Sequence, residues 1–191
     1  VTHLLNYTLR NYIGSHVWQN GSQLKPEFGT LDITHYALPD TSTLAEMERE
    51  ANAVVFAKKS VKIEEVDRAE AERRYGYVIY QGGAVPASTL RIVHVDGDDV
   101  EACGGLHVRN TEEIGLIKLI DVQKIQDGVI RLKYCVREYA LAYVQEQEGY
   151  LKDLEELFSV ERAKVPDTAG KFFSEWKEQR KEIERLEERL I

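Results

Sequence analysis

The fold of this chain is decided by residues 90–136, "LRIVHVDGDDVEACGGLHVRNTEEIGLIKLIDVQKIQDGVIRLKYCV". Apolar runs rich in valine, isoleucine and leucine alternate in this stretch with short segments that contain glycine, asparagine or aspartate. Such a pattern is typical of strands joined by turns. The stretch therefore predicts four strands, with the sequences LRIVHV, VEAC, IGLIKLIDVQKI and VIRLKYCV.

Two helical patterns precede this stretch. Residues 1–13 carry leucines at helical spacing, and Gly14 follows as a stop signal. Residues 42–60, "STLAEMEREANAVVFAKKS", predict a second helix. Ser42 or Thr43 is suited to cap it, because a hydroxyl oxygen can accept a hydrogen bond from a free N–H of the first turn.

Further strands lie between and after these helices. Residues 15–36, "SHVWQNGSQLKPEFGTLDITHY", predict a strand pair that reverses at Asn20–Gly21, a dipeptide suited to tight turns. The segments VKIEEV, DRAEAERRYG and YVIY predict a strand, a short helix and another strand. Because strands and helices are interspersed and most connections are hairpins, residues 1–137 predict an α+β layer fold.

Strand patterns disappear after this first domain, and residues 138–191 predict a helical tail. Leucines at helical spacing extend to Phe158. Pro166 and Gly170 interrupt the pattern and predict a loop over 159–170, after which a second helix follows. We expect that helix either to pack antiparallel on its neighbour as a hairpin or to associate with another copy of the chain.

Composition excludes several classes of protein. No run of about eighteen apolar residues is present, so we expect no membrane span. The two cysteines do not make a disulfide framework, which favours a reducing compartment and a cytoplasmic location. A net charge of −8 argues against broad nonspecific binding to nucleic acid, although it leaves room for a local basic groove.

The most informative short motif is "ACGGLHV", in which Cys103 and His107 stand four residues apart around two glycines. Thiolate and imidazole are zinc ligands, and glycines allow the backbone to fold back so that both side chains face one ion. Cys103 also ends a predicted strand. Two ligands do not make a site, so a third must come from elsewhere; His3 on the first helix is a candidate, together with His16, His35, His94 and Cys135.

Three segments together resemble a known family: "VTHLLNYTLRNYIGSHVWQNGS", "YQGGAVP" and "ACGGLHV". In this order they are similar to the editing domain of alanyl-tRNA synthetases in its archaeal form. The resemblance covers about residues 1–135, and the tail resembles the helical segment that leads to the C-terminal region of that family. It implies an antiparallel two-layer editing domain of the threonyl/alanyl-tRNA synthetase additional-domain type. Leu106 departs from the family, which usually has threonine there, and we expect it to pack inward.

The resemblance implies zinc, held by a His-x-x-x-His helix motif and a Cys-x-x-x-His turn. His3 matches the second histidine of the helix motif, and Cys103 and His107 match the turn. The first histidine would fall two residues before Val1, so we expect zinc binding by the residues of this chain to be weakened or absent. Zinc could supply an attacking water, polarise the carbonyl or anchor the substrate's amino group, and the sequence does not choose among these roles.

The activity that the resemblance implies is hydrolysis of tRNA(Ala) mischarged with serine or glycine. A pocket that accepts the methyl group of alanine excludes a hydrogen or an added hydroxyl only weakly, so a second site has to remove the errors. Gln19 matches a glutamine at the reaction centre of the family and would orient water or carbonyl by hydrogen bonding. Thr2 matches a threonine placed to bond the serine hydroxyl.

Partners follow from the same resemblance: the acceptor end of tRNA(Ala) and the other domains of a parent synthetase, with self-association through the tail as a further possibility. Gly82–Gly83 would cover the tRNA 3′ end, unless it is only a turn. Arg91 and Arg109 would touch phosphates, unless they belong to a solvated charged face. Two other functions stay open: a free-standing deacylase of the same superfamily, and a noncatalytic module that interacts through its helices.

Overall fold

A computed structural model describes residues 1–83 and 85–189 of the chain. It divides into two compact units, Val1–Leu141 and Ala142–Ile191. In chain order the elements are α1 (Thr2–Ile13), β1 (Gln19–Leu24), β2 (Gly29–Thr34), α2 (Thr41–Phe56), β3 (Val61–Asp67), α3 (Arg68–Tyr75), β4 (Thr89–Val95), β5 (Asp99–Ala102), β6 (Ile117–Gln126), β7 (Val129–Val136), α4 (Arg137–Phe158) and α5 (Val165–Glu188).

The strands form two sheets, and every strand pair is antiparallel. The first sheet has the order β1-β2-β7-β6, and the second has the order β3-β4-β5. The four strands predicted within residues 90–136 are all present, two in each sheet. The predicted α+β class with antiparallel sheets is therefore confirmed.

Each sheet is covered by helices on one face, which gives the unit two cores. The larger core contains the buried leucines of α1 and the buried face of α2 against the inner side chains of the first sheet: Leu4, Leu5, Leu9, Met47, Ala51, Leu31, Ile33, Ile130 and Leu132. The smaller core packs α3 against the second sheet through Ala71, Val66, Leu90 and Ile92. Full burial of one such large aliphatic side chain stabilises the fold by about 1.5–3 kcal/mol.

The predicted turn at Asn20–Gly21 is wrong. Both residues lie inside β1, where the pairing with β2 shifts between Gln19 and Gly21 as a β-bulge. Glycine is suited to a bulge as well as to a turn, which explains the misleading signal. The chain instead reverses at Lys25–Phe28, where the Lys25 N–H donates to the Phe28 carbonyl over 2.9 Å.

Two local predictions also need correction. The helix α2 is capped by Asp40, not by Ser42 or Thr43, because Asp40 Oδ1 accepts hydrogen bonds from the Thr43 N–H and from the Ser42 hydroxyl. The segment Tyr77–Ile79, predicted as part of a strand, is one turn of 3-10 helix. It is enclosed by glycines with positive φ on both sides and is too short to join a sheet.

The tail unit is helical, as predicted, but its connection is shorter. Pro166 lies in the first turn of α5, where the missing N–H costs no hydrogen bond, and Gly170 is inside the helix. Phe158 and Phe172 stack near the connection, with ring centroids 5.6 Å apart. Farther along α5 the apolar side chains of Phe173, Trp176, Ile183 and Leu186 are exposed. No helix within residues 1–83 and 85–189 is long and apolar enough to cross a bilayer.

Candidate metal centre and its cleft

The structure brings His3, Cys103 and His107 together. His3 stands on the first turn of α1, Cys103 directly follows β5, and His107 ends the turn after it. One potential ligand atom from each residue lies within 4.8 Å of the other two. His3 Nε2 and His107 Nε2 are 3.2 Å apart, although the two residues are separated by 104 positions in the chain.

These three groups fit a zinc ion. Two nitrogens that each coordinate a tetrahedral zinc at about 2.0–2.1 Å are about 3.3 Å apart, close to the observed separation of the imidazole nitrogens. The imidazole rings meet edge to face at an interplanar angle of 85°. Two imidazoles and one thiolate would fill three positions of a tetrahedral zinc ion.

The turn between the two ligands depends on close approach. The Gly105 N–H lies 3.4 Å from Cys103 Sγ, and a Cβ at Gly105 would lie 3.4 Å from that sulfur and 3.7 Å from the His107 ring. Gly105 therefore leaves room for both ligands. Leu106 is fully exposed, so the prediction that it packs inward is wrong: the tight turn directs its side chain away from the core.

Two buried carboxylates hold the other side of the His3 ring. His3 Nδ1 is 3.2 Å from Asp99 Oδ2 and 3.3 Å from Glu101 Oε2. Both acidic residues are buried, at 6% and 3% exposure. Neither residue is among the predicted ligands, although positions 99, 101 and 103 alternate along β5 and its continuation, so their side chains share one face.

These contacts change the protonation of the cluster. Hydrogen bonds from His107 and His3 lower the pKa of Cys103 to about 5, so its sulfur is a thiolate at neutral pH. Burial lowers the pKa of His3, but its hydrogen bonds with Asp99 and Cys103 outweigh burial and raise that pKa to about 10. Burial, reinforced by the charge of Asp99, raises the pKa of Glu101 to about 7. The space between the rings thus favours a cation, and a metal ion would displace the proton of His3.

The four residues predicted to contact tRNA have different surroundings. Arg91 Nη1 donates to the Cys103 carbonyl over 2.5 Å and lies 3.4 Å from His107 Nδ1, so this half-buried side chain supports the ligand turn. Arg109 is exposed. Gly82 and Gly83 both have positive φ, 82° and 114°, in an exposed loop.

The predicted catalytic residues line the same cleft as the candidate ligands. This cleft has a volume of about 420 Å³, and its walls include Thr2, His3, Gln19, Cys103 and His107. A binding cleft for a small group typically encloses about 300–1,000 Å³. A larger cavity, of about 670 Å³, runs along β3 and β4 and is lined by none of these five residues.

Neighbouring groups hold Thr2 and Gln19 at the cleft. Thr2 Oγ1 lies 3.1 Å from the hydroxyl of Tyr134. The Gln19 N–H donates to Gln81 Oε1 over 3.2 Å, and a Cβ at Gly82 would lie 3.1 Å from Gln19 Nε2. The glycine loop therefore closely approaches the side chain of Gln19.

The remaining metal-ligating side chains lie in other contacts. His94 pairs with Glu64 over 2.7 Å, and His16 and His35 approach each other to 2.9 Å. The Cys135 thiol lies 3.9 Å from the Lys118 carbonyl, and burial raises its pKa. Within residues 1–83 and 85–189, these four residues belong to no group of three or more potential metal ligands.

Comparison with known proteins agrees with this geometry. The family model of the "Threonyl and Alanyl tRNA synthetase second additional domain" matches residues 90–133, which include Cys103 and His107. The chain is 47% identical over 185 residues to an alanine–tRNA ligase of Archaeoglobus fulgidus, covering 97% of this chain and 20% of that protein. It is 47% identical to one of Methanococcus vannielii and 46% identical to one of Thermococcus kodakarensis, each over 189 residues, 99% of this chain and 21% of the relative.

The chain thus spans about one fifth of the length of the relatives that it matches. Nearly all of it is similar to archaeal alanine–tRNA ligases, including α4 and α5. The resemblance to the editing domain of an archaeal-type alanyl-tRNA synthetase, inferred from three short segments, is therefore confirmed.

Proposed function

We propose that this chain removes serine and glycine from mischarged tRNA(Ala) as the editing part of an alanyl-tRNA synthetase. One observation carries the proposal: the candidate ligands His3, Cys103 and His107 share a cleft with Thr2 and Gln19. The similarity to alanine–tRNA ligases identifies the parent enzyme class. The two free cysteines, Cys103 and Cys135, support a cytoplasmic location.

The reaction is hydrolysis of an ester. The oxygen of water attacks the carbonyl carbon of the aminoacyl group, the bond from that carbon to the ribose oxygen breaks, and a proton passes to the ribose oxygen. Gln19 is placed to orient the reactants, because its amide can donate to the carbonyl oxygen or accept from water. It is too weak a base to remove a proton, so its contribution is geometric.

Thr2 supplies the selectivity for serine in this proposal. Its hydroxyl is held by Tyr134 at the wall of the cleft, 3.1 Å away. A hydroxyl that already has one partner is kept in one orientation, and its remaining hydrogen-bonding capacity can be directed at the substrate. Seryl-tRNA would form a hydrogen bond with Thr2 through the serine hydroxyl, a bond that alanyl-tRNA lacks.

Zinc, when bound by His3, Cys103 and His107, would supply a positive charge beside the carbonyl of the substrate. That charge could activate water, polarise the carbonyl or hold the amino group. Asp99 and Glu101 would hold the ring of His3, and Arg91 would hold the turn that carries the other two ligands.

The tRNA partner would be recognised at its 3′ end. The exposed glycine loop next to Gln19 allows a close approach of the nucleotide backbone, because a Cβ at Gly83 would meet none of the described residues within 4 Å. Arg109 is exposed and free to contact a phosphate, whereas Arg91 is engaged with the ligand turn. The other domains of the parent synthetase would be the second class of partner.

A free-standing deacylase is the alternative within the same superfamily. The similarity to alanine–tRNA ligases continues through the helical tail and covers 97–99% of the chain in the three relatives named above. This continuity supports an editing domain in cis rather than a separate protein.

The test is hydrolysis of Ser-tRNA(Ala) by the chain, with correctly charged Ala-tRNA(Ala) as the substrate control. We expect release of serine at a rate at least about tenfold above that of alanine, since the serine hydroxyl is recognised by a hydrogen-bonding group. Gln19→Leu should reduce serine release, while Lys152→Ala on the exposed face of α4 should leave it unchanged. Equal rates for serine and alanine, or no release above the uncatalysed rate, would contradict the proposed function.

A further inference from the structure

A buried amide stands behind the carboxylate that contacts His3. Asn6 is fully buried on α1, three residues after His3 and therefore on the same helical face. Its Nδ2 donates to Glu101 Oε1 over 3.1 Å, while the other oxygen of Glu101 is 3.3 Å from His3 Nδ1. Each oxygen of this carboxylate thus has a separate partner, and the three side chains form a chain of contacts Asn6–Glu101–His3.

The amide of Asn6 is engaged with Glu101 alone. Within residues 1–83 and 85–189, its Oδ1 atom is buried without a hydrogen-bond partner. A rotation of the amide by 180° would turn this oxygen towards the Glu101 carboxylate and create a repulsion between two acceptors. An unsatisfied buried carbonyl costs about 1–3 kcal/mol, so the contact with Glu101 is retained despite a cost in stability.

We propose that Asn6 and Glu101 are positioning residues that prepare His3 to bind the metal ion; this inference rests on the proposed function. Asp99 Oδ2 accepts the proton of His3 Nδ1 over 3.2 Å, and Glu101 Oε2 lies beside it, 3.3 Å from the same nitrogen. The accepted proton selects the tautomer whose Nε2 lone pair faces Cys103 and His107. Asn6 holds Glu101 at the angle that this contact requires.

Burial supports a role in positioning rather than in general stability. Glu101 is 3% exposed, and a buried charged group contributes little net stability, because the loss of hydration offsets its attraction to a partner. A carboxylate behind a coordinating histidine fixes the ring and strengthens its bond to the metal, and loss of such a partner weakens metal binding by about 10–100-fold.

The experiment measures zinc affinity by competition with a chelator of known affinity. It compares the parent chain with Glu101→Gln, Asn6→Ala and the double variant. We expect Glu101→Gln to weaken zinc binding by about 10–100-fold, and Asn6→Ala by a smaller factor. In the double variant, Asn6→Ala should add nothing to Glu101→Gln, because Asn6 acts through Glu101.

A matched control is Glu48→Gln. Glu48 is a half-buried carboxylate of the same unit, which accepts hydrogen bonds from the Leu119 N–H and from Lys118 and does not line the cleft. The Glu48→Gln variant should keep zinc affinity within about twofold of the parent, even if it lowers the melting temperature by as much as Glu101→Gln does.

A visible absorption spectrum with Co²⁺ in place of zinc adds a readout of ligand geometry. The spectrum should change in Glu101→Gln and not in Glu48→Gln.

Three results would overturn the inference: parental zinc affinity in both Glu101→Gln and Asn6→Ala, an equal loss in Glu48→Gln, or a parent chain that binds no zinc. Asn6→Ala keeps the question answerable if Glu101→Gln does not fold. The proposed function fails separately: a chain that shows the expected order of zinc affinities but releases no serine from Ser-tRNA(Ala) retains the positioning role without the editing activity.

Discussion

The cleft and the helix α5 distribute polar and apolar side chains in opposite ways. Around the candidate ligands, groups that normally face water are buried: Asn6 is fully buried, and Asp99 and Glu101 are 6% and 3% exposed. On α5, groups that normally avoid water are exposed, with Trp176 at 49% and Ile183 at 56%. In both places the residue pattern departs from that of an ordinary globular surface or core.

The two regions also differ in whether these unusually placed side chains are satisfied by partners within their own unit. In the cleft, the buried carboxylates have partners within the same unit, so hydrogen bonds compensate at least part of their lost hydration. On α5, the apolar side chains stay exposed even where they have a neighbour, as where the Arg180 guanidinium lies 5.5 Å from the centroid of the Trp176 ring. Function that depends on the cleft should therefore respond strongly to single substitutions there, and hardly at all to substitutions on α5.

The largest effect is expected from Cys103→Ala, which removes the thiolate of the candidate metal centre. Release of serine from Ser-tRNA(Ala) should fall by at least about 100-fold, and zinc binding should be lost. The matched control is Cys135→Ala. Cys135 also lines the cleft, but its thiol lies 3.9 Å from a backbone carbonyl and is not one of the candidate ligands. Equal losses in both variants would show that packing, rather than ligation, explains the sensitivity of the cleft.

A second, more selective effect is expected from Thr2→Val, which replaces a hydroxyl by a methyl group of similar size. Serine release should fall by about tenfold, since a hydrogen bond to the substrate hydroxyl is lost. Release of glycine from Gly-tRNA(Ala) should stay unchanged, because glycine has no hydroxyl to bond. A parallel loss for both substrates would indicate a general disturbance of the cleft and remove Thr2 from the account of selectivity.

A third effect concerns the wall of the cleft. A Cβ at Gly29 would lie within 2.7 Å of two ring carbons and the hydroxyl oxygen of Tyr134, so Gly29→Ala forces a shift of this side chain and of its contact with Thr2. We expect a loss of about 1–3 kcal/mol in the free energy of unfolding, measured with denaturant.

Gly21→Ala is the control for this substitution, because its Cβ would meet only the Asp32 side chain at ordinary contact distances of 3.6 and 4.0 Å. It should change the free energy of unfolding by less than about 0.5 kcal/mol. If both variants were equally destabilised, the loss of stability would come from a disturbed pairing of β1 with β2 and not from the contact with Tyr134.

The smallest effect is expected on the helix α5. Trp176→Glu places a charge where the indole is half exposed, so serine release should remain unchanged and the free energy of unfolding should change by less than about 0.5 kcal/mol. Sedimentation velocity of the parent and the variant tests the predicted self-association: any concentration-dependent association of the parent should be lost in Trp176→Glu. A fall in serine release would contradict the contrast between the two regions.

Strand and helix periodicity was sufficient to predict most of the fold. The four strands of residues 90–136 and the helices α1, α2 and α3 were predicted from local patterns, which depend on the residues of each segment alone. The wrong turn at Asn20–Gly21 has a physical cause, since a bulge and a tight turn both favour glycine. For the tail, periodicity predicts helices with an apolar face, but it does not indicate what covers that face.

The candidate site was predictable only in part. Cys103 and His107 are close in the chain, so their spacing indicated a shared ion, and the family resemblance added His3. The carboxylates of Asp99 and Glu101 were missed, because their approach to His3 depends on how α1 lies against β5. The alternation of positions 99, 101 and 103 places their side chains on one face, but it does not indicate which other segment that face contacts.

The central claim is that His3, Cys103 and His107 bind one metal ion. X-ray absorption at the zinc edge of the zinc-loaded chain tests it most directly. We expect one sulfur at about 2.3 Å and two imidazole nitrogens at about 2.0–2.1 Å in the first coordination shell, with the sulfur lost in Cys103→Ala. A shell of nitrogen and oxygen alone, or one that keeps its sulfur in Cys103→Ala, would contradict the account.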